Sequence, residues 1–343
     1  MKCELEYPFE TPPIDGWMAI ADGLYWLRLP LPFALDHINV WLLQEREAWT
    51  LVDAGASLPP SRAAWESIIA NLLGGRPIQR IVITHFHPDH YGLASWLQQR
   101  FGAEVLITRA EQDSAVNLYA YSDGQAGQYI SELFTRNGLD AERRAALAAR
   151  GNFYRPLLAG IARVAEYLSA GSQLRIGDRQ WEVIAGQGHS PEHACLYCKS
   201  AGWLISGDQV LPGISSNISV RPEQPDGDPL ADYLDSLAEL HRLPADVLVL
   251  PSHGSPFRGL HARLAALERH HQVRLERLRL ACHDAPLSAA EALPVLFRRE
   301  IDSHGLFFAM GEAIAHLHQL WHAGELRRYR DKQGIYRFAA TSP

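Results

Sequence analysis

At 343 residues, with 47% hydrophobic and 21% charged side chains, the chain carries enough apolar surface to offset its ordering entropy, which excludes an intrinsically disordered protein. A formal net charge of −7 gives no overall attraction for nucleic acid. Four cysteines (Cys3, Cys195, Cys198 and Cys282) are too few and too scattered for a disulfide framework, and no apolar stretch is long enough to span a bilayer.

The first residues, MKCELEYPFETPPIDGW, place acids and prolines where a signal peptide needs a basic start and an apolar core, so a cytoplasmic location is expected. Residues 24–53 read as three strands, over 24–29, 38–43 and 48–52, and Asp53-Ala-Gly55 ends that run. Helical periodicity over 58–73 follows a Pro-Pro-Ser start and closes on Gly74-Gly75. A short buried strand over 81–84 leads to a helix over 91–101 stopped by Gly102, and 104–108 is a further strand. From about 110 to 170 the pattern turns helical, broken at Gly124, Gly138 and Gly151, with few strand signals.

Strands return over 173–176, 181–185, 194–197, 203–206 and 247–250. Strands and helices on either side of a helical insert predict a layered α/β domain over residues 1–257, with the 110–170 insert as a lid or wall. Cys195-Leu-Tyr-Cys198 has CxxC spacing but no second pair, so both are expected as strand cysteines packed in a core. Beyond Phe257 a long amphipathic helix is predicted over 259–283, shorter ones over 287–297 and 305–322, and strands over 327–330 and 335–338 joined at Gly334. Helices followed by a hairpin predict a winged-helix-like domain over 258–343.

The chemistry concentrates in Thr84-His85-Phe86-His87-Pro88-Asp89-His90. His85 and His87 are two apart, so in an extended segment both imidazoles leave one face and can grip one cation. Asp89 and His90 add a carboxylate and a third imidazole, enough to begin a second site. Three other strand ends carry an unexplained His or Asp: Gly188-His189-Ser-Pro-Glu-His193, Ser206-Gly207-Asp208 and Pro251-Ser-His253-Gly254.

The set His85, His87, Asp89, His90, His189, Asp208 and His253 resembles the ligand set of the metallo-β-lactamase superfold, over about residues 20–257. The motifs around His189 and His253, with a winged-helix-like tail behind them, are similar to the lactamase-β-2-like, hydroxyacylglutathione-hydrolase-like branch. The resemblance implies an αββα sandwich with the site at one edge of its two sheets. It implies that His85, His87 and His189 hold one metal, that Asp89, His90 and His253 hold another, and that Asp208 bridges them. By the same resemblance Asp53 supports the site from behind; a turn-capping carboxylate is the other reading. Imidazole and carboxylate without thiolate suit zinc, with iron and manganese also compatible. Zinc β-lactamases usually carry Cys in place of Asp208, so an antibiotic-degrading role is not expected.

Two cations about 3.5–4 Å apart bind a bridging water and lower its pKa from about 16 to about 7. Asp89 is expected to orient that hydroxide and take its proton. The expected activity is a dinuclear metal-dependent hydrolase acting on a small-molecule thioester of the acyl-CoA or acyl-glutathione type, with Arg221 placed to meet the carrier; a lactone substrate fits the same centre. The alternative is an endoribonuclease that reads nucleic acid with Arg327, Arg328, Arg330, Lys332 and Arg337 of the tail. Residues 261–343 hold only 12 Lys/Arg against 9 Asp/Glu, which favours packing or homodimerisation for that region. His193 is the one further histidine near the ligands in sequence. The others, among them His37, His270, His271, His304, His316 and His318, read as surface or helix-face residues, and Tyr119, Tyr121 and Tyr129 either line the pocket or, more commonly for such residues, pack in the core.

Overall fold

The computed structural model describes residues 5–33, 35–298 and 301–341. Strands β1 (Trp17–Ala21), β2 (Leu24–Pro30), β3 (His37–Gln44) and β4 (Trp49–Val52) form an antiparallel meander. After α1 (Pro59–Asn71) the chain adds β5 (Ile78–Val82) parallel to β4, then α2 (Pro88–Tyr91), α3 (Ala94–Phe101) and β6 (Glu104–Thr108), again parallel. The insert follows as α4 (Arg109–Ala120), α5 (Asp123–Arg136) and α6 (Ala141–Ala148), and β7 (Val164–Leu168) then closes a seven-stranded sheet in the order β1 to β7. The insert is thus an enlarged crossover between two parallel strands, a connection that geometry requires to be long.

The second sheet comprises β8 (Gln173–Ile176), β9 (Arg179–Gly186), β10 (His193–Cys198), β11 (Trp203–Gly207) and, after α7 (Pro229–Leu240), β12 (Leu248–Pro251). Three helices, α8 (Leu260–Asp284), α9 (Ala289–Leu296) and α10 (Ser303–His322), and the hairpin of β13 (Leu326–Arg330) with β14 (Tyr336–Ala340) complete the chain.

Side-chain alternation decides the layers. On β2, Leu24 and Trp26 face the second sheet while Leu27 and Leu29 lie under the helices, because successive strand residues leave opposite faces. Trp41, Val52, Leu196, Ile205 and Leu250 join Trp26 in the core between the sheets. Strands buried on both faces read as near-continuous apolar runs, and these do. The outer face of the second sheet shares one apolar cluster with α7, with Leu133 and Phe134 of the insert, and with Leu264, Met310, Ile314 and Leu317 of the C-terminal helices. The order is helices, sheet, sheet, helices. Cys195 and Cys198 are buried on opposite faces of β10, so they cannot share a metal; Cys3 lies outside the described residues. Among the described residues no helix is long and apolar enough to cross a membrane.

Several local expectations are corrected. β1, β7 and α7 fall where no strand or helix is predicted. The expected helix over 91–101 breaks at Leu93 (φ −96°, ψ 4°) into α2 and α3, so Asp89 and His90 sit inside a helical turn opened by Pro88. β5 ends at Val82, so His85 and His87 are brought together by a loop, not by strand alternation. Of the histidines read as surface or helix-face residues, His37 is buried off any helix, and His271, His316 and His318 lie on buried helix faces; His193 is buried too, and the His304 side chain lies outside the described residues. Tyr121 and Tyr129 stack on each other at 5.2 Å, and Tyr129 is exposed.

Candidate metal centre

Four loops leave the C-terminal ends of β5, β9, β11 and β12 at one edge of the two sheets, and each delivers part of a single cluster. Donor atoms of His85, His87, His189 and Asp208 lie within 4.8 Å of one another, and so do those of Asp89, His90 and His253. All seven residues of the sequence-derived set are therefore brought together. Asp208 lies between the two groups: Oδ2 faces His189 Nε2 at 3.6 Å, while Oδ1 faces His90 Nε2 at 3.5 Å and His253 Nε2 at 3.6 Å.

The imidazoles are oriented from behind. His90 Nδ1 donates to Asp53 Oδ2 (2.8 Å), His189 Nδ1 to the Asn217 carbonyl (2.8 Å) and His253 Nδ1 to the His37 carbonyl (2.8 Å). Each of these bonds leaves the Nε2 lone pair aimed at the cluster, the arrangement that a metal-binding histidine needs. Thr84 Oγ1 donates to Asp53 (2.9 Å) and accepts from His85 Nδ1 (3.0 Å), so His85 is fixed the same way. His85 Nε2 then lies 2.9 Å from His87 Nδ1 and 3.2 Å from His189 Nε2. Zn–N bonds of about 2.0–2.1 Å in a tetrahedron set nitrogens about 3.3 Å apart. Such a spacing between lone-pair-bearing atoms is that of donors around one cation. His90 Nε2 and Asp208 Oδ1 are buried and, among the described residues, have no hydrogen-bond partner, which is costly unless a ligand takes them. The donor set fits divalent metal ions.

Electrostatics agrees. Burial holds the His85 and His189 imidazoles below their usual range and His87 at about 3, so these donors are neutral. Burial acts in the same direction on His90 and His253 but is outweighed by Asp53, Asp89 and Asp208 at His90, and by Asp208 and Asp89 at His253. The carboxylates of Asp89 and Asp208, which burial alone would raise, are held low chiefly by His90 and His253. This half of the cluster is a buried nest of carboxylates that demands positive charge.

Residues outside the motifs hold the loops. Asp53, at φ 62°, is one of two described non-glycine residues in the left-handed region, and its carboxylate takes Thr84 N–H as well as His90, so it supports the site from behind. His193 Nε2 accepts the Asp208 N–H at 3.1 Å; a Cβ on Gly207, whose φ is 50°, would collide with that imidazole, so only glycine fits there. Asn39 donates to the Pro251 and Gly254 carbonyls (2.8 Å each) and accepts from Trp26 Nε1 (2.7 Å), which fixes the loop carrying His253. Sequence reasoning misses Asn39, although a lone amide inside the apolar run Ile38-Asn39-Val40 is a signal for a buried polar anchor.

An αββα sandwich with a seven-residue imidazole and carboxylate cluster at its edge defines a class of metal-dependent hydrolase. The profile of the metallo-β-lactamase superfamily matches residues 34–253, and the profile described as metallo-β-lactamase-like, C-terminal domain, matches residues 275–341. The chain belongs to the metallo-β-lactamase superfamily. The probable metallo-hydrolase YqjP of Bacillus subtilis is 26% identical over 90% of this chain and 96% of its own. The acyl-coenzyme A thioesterase MBLAC2 of Gallus gallus is 28% identical over 70% of this chain and 82% of its own. Among solved structures, a β-lactamase domain protein from Burkholderia ambifaria superposes with a TM-score of 0.92 at 43% identity, covering 98% of both chains. A metallo-β-lactamase family protein from Thermus thermophilus superposes with a TM-score of 0.78 at 29% identity, covering 94% of this chain and 100% of its own.

Proposed function

We propose that the protein is a dinuclear hydrolase, with zinc as the metal, that cleaves a thioester of a small acyl carrier such as coenzyme A or glutathione. In this reading His85, His87 and His189 hold one ion, Asp89, His90 and His253 the other, and Asp208 bridges both. When bound, the ions supply an acidified water as nucleophile and polarise the scissile carbonyl. Asp89, whose side chain is 21% exposed and whose Oδ2 is 3.4 Å from His253 Nε2, would receive the proton that the nucleophile loses.

The observation that favours an acyl substrate is a set of exposed apolar side chains on segments that support the site. Exposed Leu35, Ile214 and Phe308 (37%, 44% and 37%) lie on three segments, each rooted in the site. Leu35 precedes His37, whose carbonyl holds His253; Ile214 precedes Ser216, which donates to the Asp208 carbonyl; and the Phe308 carbonyl accepts from Asn217, whose own carbonyl holds His189. Exposed apolar side chains on the segments that support a polar reactive centre suit an acyl chain. Beside the His189 loop, a cavity of about 230 Å³ lined by Gln187, Ser190, Ser219, Arg221, Gln224 and Asp232 offers hydrogen-bonding groups for the carrier. The likeness to the MBLAC2 thioesterase supports the same reading.

The nucleic-acid alternative draws no such support. Arg328 pairs with Asp226 (2.8 Å) and stacks on Trp321, Arg337 pairs with Asp331 (2.8 Å) and Glu291, and Arg330 donates to Tyr336 Oη (2.9 Å), so these hairpin cations serve internal contacts. Metal-replete protein should release free thiol from members of an acyl-CoA and acyl-glutathione panel. Cleavage of lactone or single-stranded RNA without any thiol release would overturn the proposal.

A further inference from the structure

Glu111 is wholly buried in the first turn of α4, where the insert begins, and appears in no motif. Its two carboxylate oxygens reach two different ligand loops. Oε2 accepts the Phe86 N–H (2.9 Å), between His85 and His87; Oε1 accepts the Ser190 hydroxyl (2.6 Å) and the Glu192 N–H (2.7 Å), one and three residues after His189. The other side of the same dipeptide is held from the far end of the insert, where Tyr154 Oη donates to the Phe86 carbonyl (2.6 Å). The peptide units flanking Phe86 are thus fastened at both the donor and the acceptor, and one carboxylate spans the gap between the His85–His87 loop and the His189 loop. Asp89 and His90 follow on the same connection as His85 and His87, with His90 held by Asp53, while the loop of His253 hangs on His37 and Asn39; Glu111 touches none of these three ligands' supports.

We infer that Glu111 is a positioning residue for one half of the centre: by tying the two loops together it fixes the three-histidine group of His85, His87 and His189, and so makes the root of the insert a determinant of retention of the ion held there. The inference rests on the ligand assignment proposed above. Its geometric content is that His85 Nε2 must stay within 3.2 Å of His189 Nε2 although the two residues belong to different loops. The backbone joins those loops at their bases, where the Ala194 N–H donates to the Thr84 carbonyl (2.8 Å), and the carboxylate is the tether nearer the ligands themselves. Glu111→Gln keeps the volume but offers one acceptor oxygen where three donors converge, so one loop is released.

The test is a stepwise zinc titration of the full-length protein against a chromophoric chelator, with the steps assigned by His87→Ala and Asp89→Ala. Glu111→Gln should raise the dissociation constant of the step lost in His87→Ala by about 10- to 100-fold, the usual cost of removing an outer partner of a metal ligand, and leave the other step unchanged. At saturating zinc, kcat should recover with KM unaltered. Ser190→Ala, which removes one donor and leaves the carboxylate, should give a smaller loss in the same step, and it carries the test should Glu111→Gln not fold. Equal weakening of both steps, or no change in either variant, would overturn the inference. Wild-type protein that takes up no zinc would instead overturn the ligand assignment, so the two failures are distinguishable.

Discussion

Single residues behind the cluster do more than their exposure suggests. Asp53 collects the Thr84 N–H and hydroxyl and the His90 Nδ1–H on one carboxylate. Asp53→Ala should weaken metal binding about 10- to 100-fold, measured by chelator competition, because His90 loses the acceptor that sets its tautomer; unchanged affinity would show the contact to be idle. Asn39→Ala orphans two carbonyls and the Trp26 indole N–H, at about 1–3 kcal/mol for each buried group left unsatisfied. Denaturant unfolding should therefore show a loss of about 3 kcal/mol; a change near zero would mean that water reaches these groups. The seven cluster residues are legible because their side chains follow strand ends in a recognisable order. Asn39, His193, Asn217 and Glu111 are not, or only partly so, because each acts on a loop that is distant in the chain, and a hydrogen bond between distant segments leaves no local pattern.

At the scale of elements, α8 and α10 meet through a buried polar contact inside an apolar cluster. His271 Nδ1 lies 3.1 Å from His316 Nε2, and His316 Nδ1 donates to the Glu312 carbonyl (2.8 Å), so both rings are neutral, with His271 as the donor. Tyr233, His270, Arg274 and the Arg274–Glu312 ion pair surround them. Burial, reinforced by the neighbouring imidazoles and Arg274, lowers His271 to about 2 and His316 to about 3. These folded-state values lie below the unfolded value of about 6.5, so the unfolded chain takes up protons first and stability falls as pH drops below about 6.5, by about 1.4 kcal/mol per pH unit for each such histidine. Replacing both by Leu should flatten that difference between about pH 6.5 and 5 relative to wild type; identical slopes would contradict it. Helices and strands with clean periodicity, such as β2, β3 and α8, are legible to within a few residues. β7 is not, since Val164-Ala-Glu-Tyr-Leu168 is an edge strand with three exposed positions and no run of apolar residues. The α2–α3 break is hidden because Pro88 can open a helix as readily as end one.

At the scale of the whole molecule, the C-terminal helices, the insert and the outer face of the second sheet share one core. Arg263 of α8 donates to the Leu211 and Ile214 carbonyls, and Asn217 to that of Phe308 on α10, so the segment that follows Asp208 is held by helices from beyond the sheets. The C-terminal helices thus buttress the segment whose Asn217 carbonyl orients His189. The claim on which all else depends is that the seven-residue cluster is a two-metal centre with Asp208 shared between its halves. Metal content by mass spectrometry, on wild type and on Asp208→Ala, tests it most directly. Two equivalents of divalent metal in the wild type, falling in Asp208→Ala together with the loss of thioester turnover, are predicted; an Asp208→Ala protein that keeps two equivalents and full turnover would contradict the account.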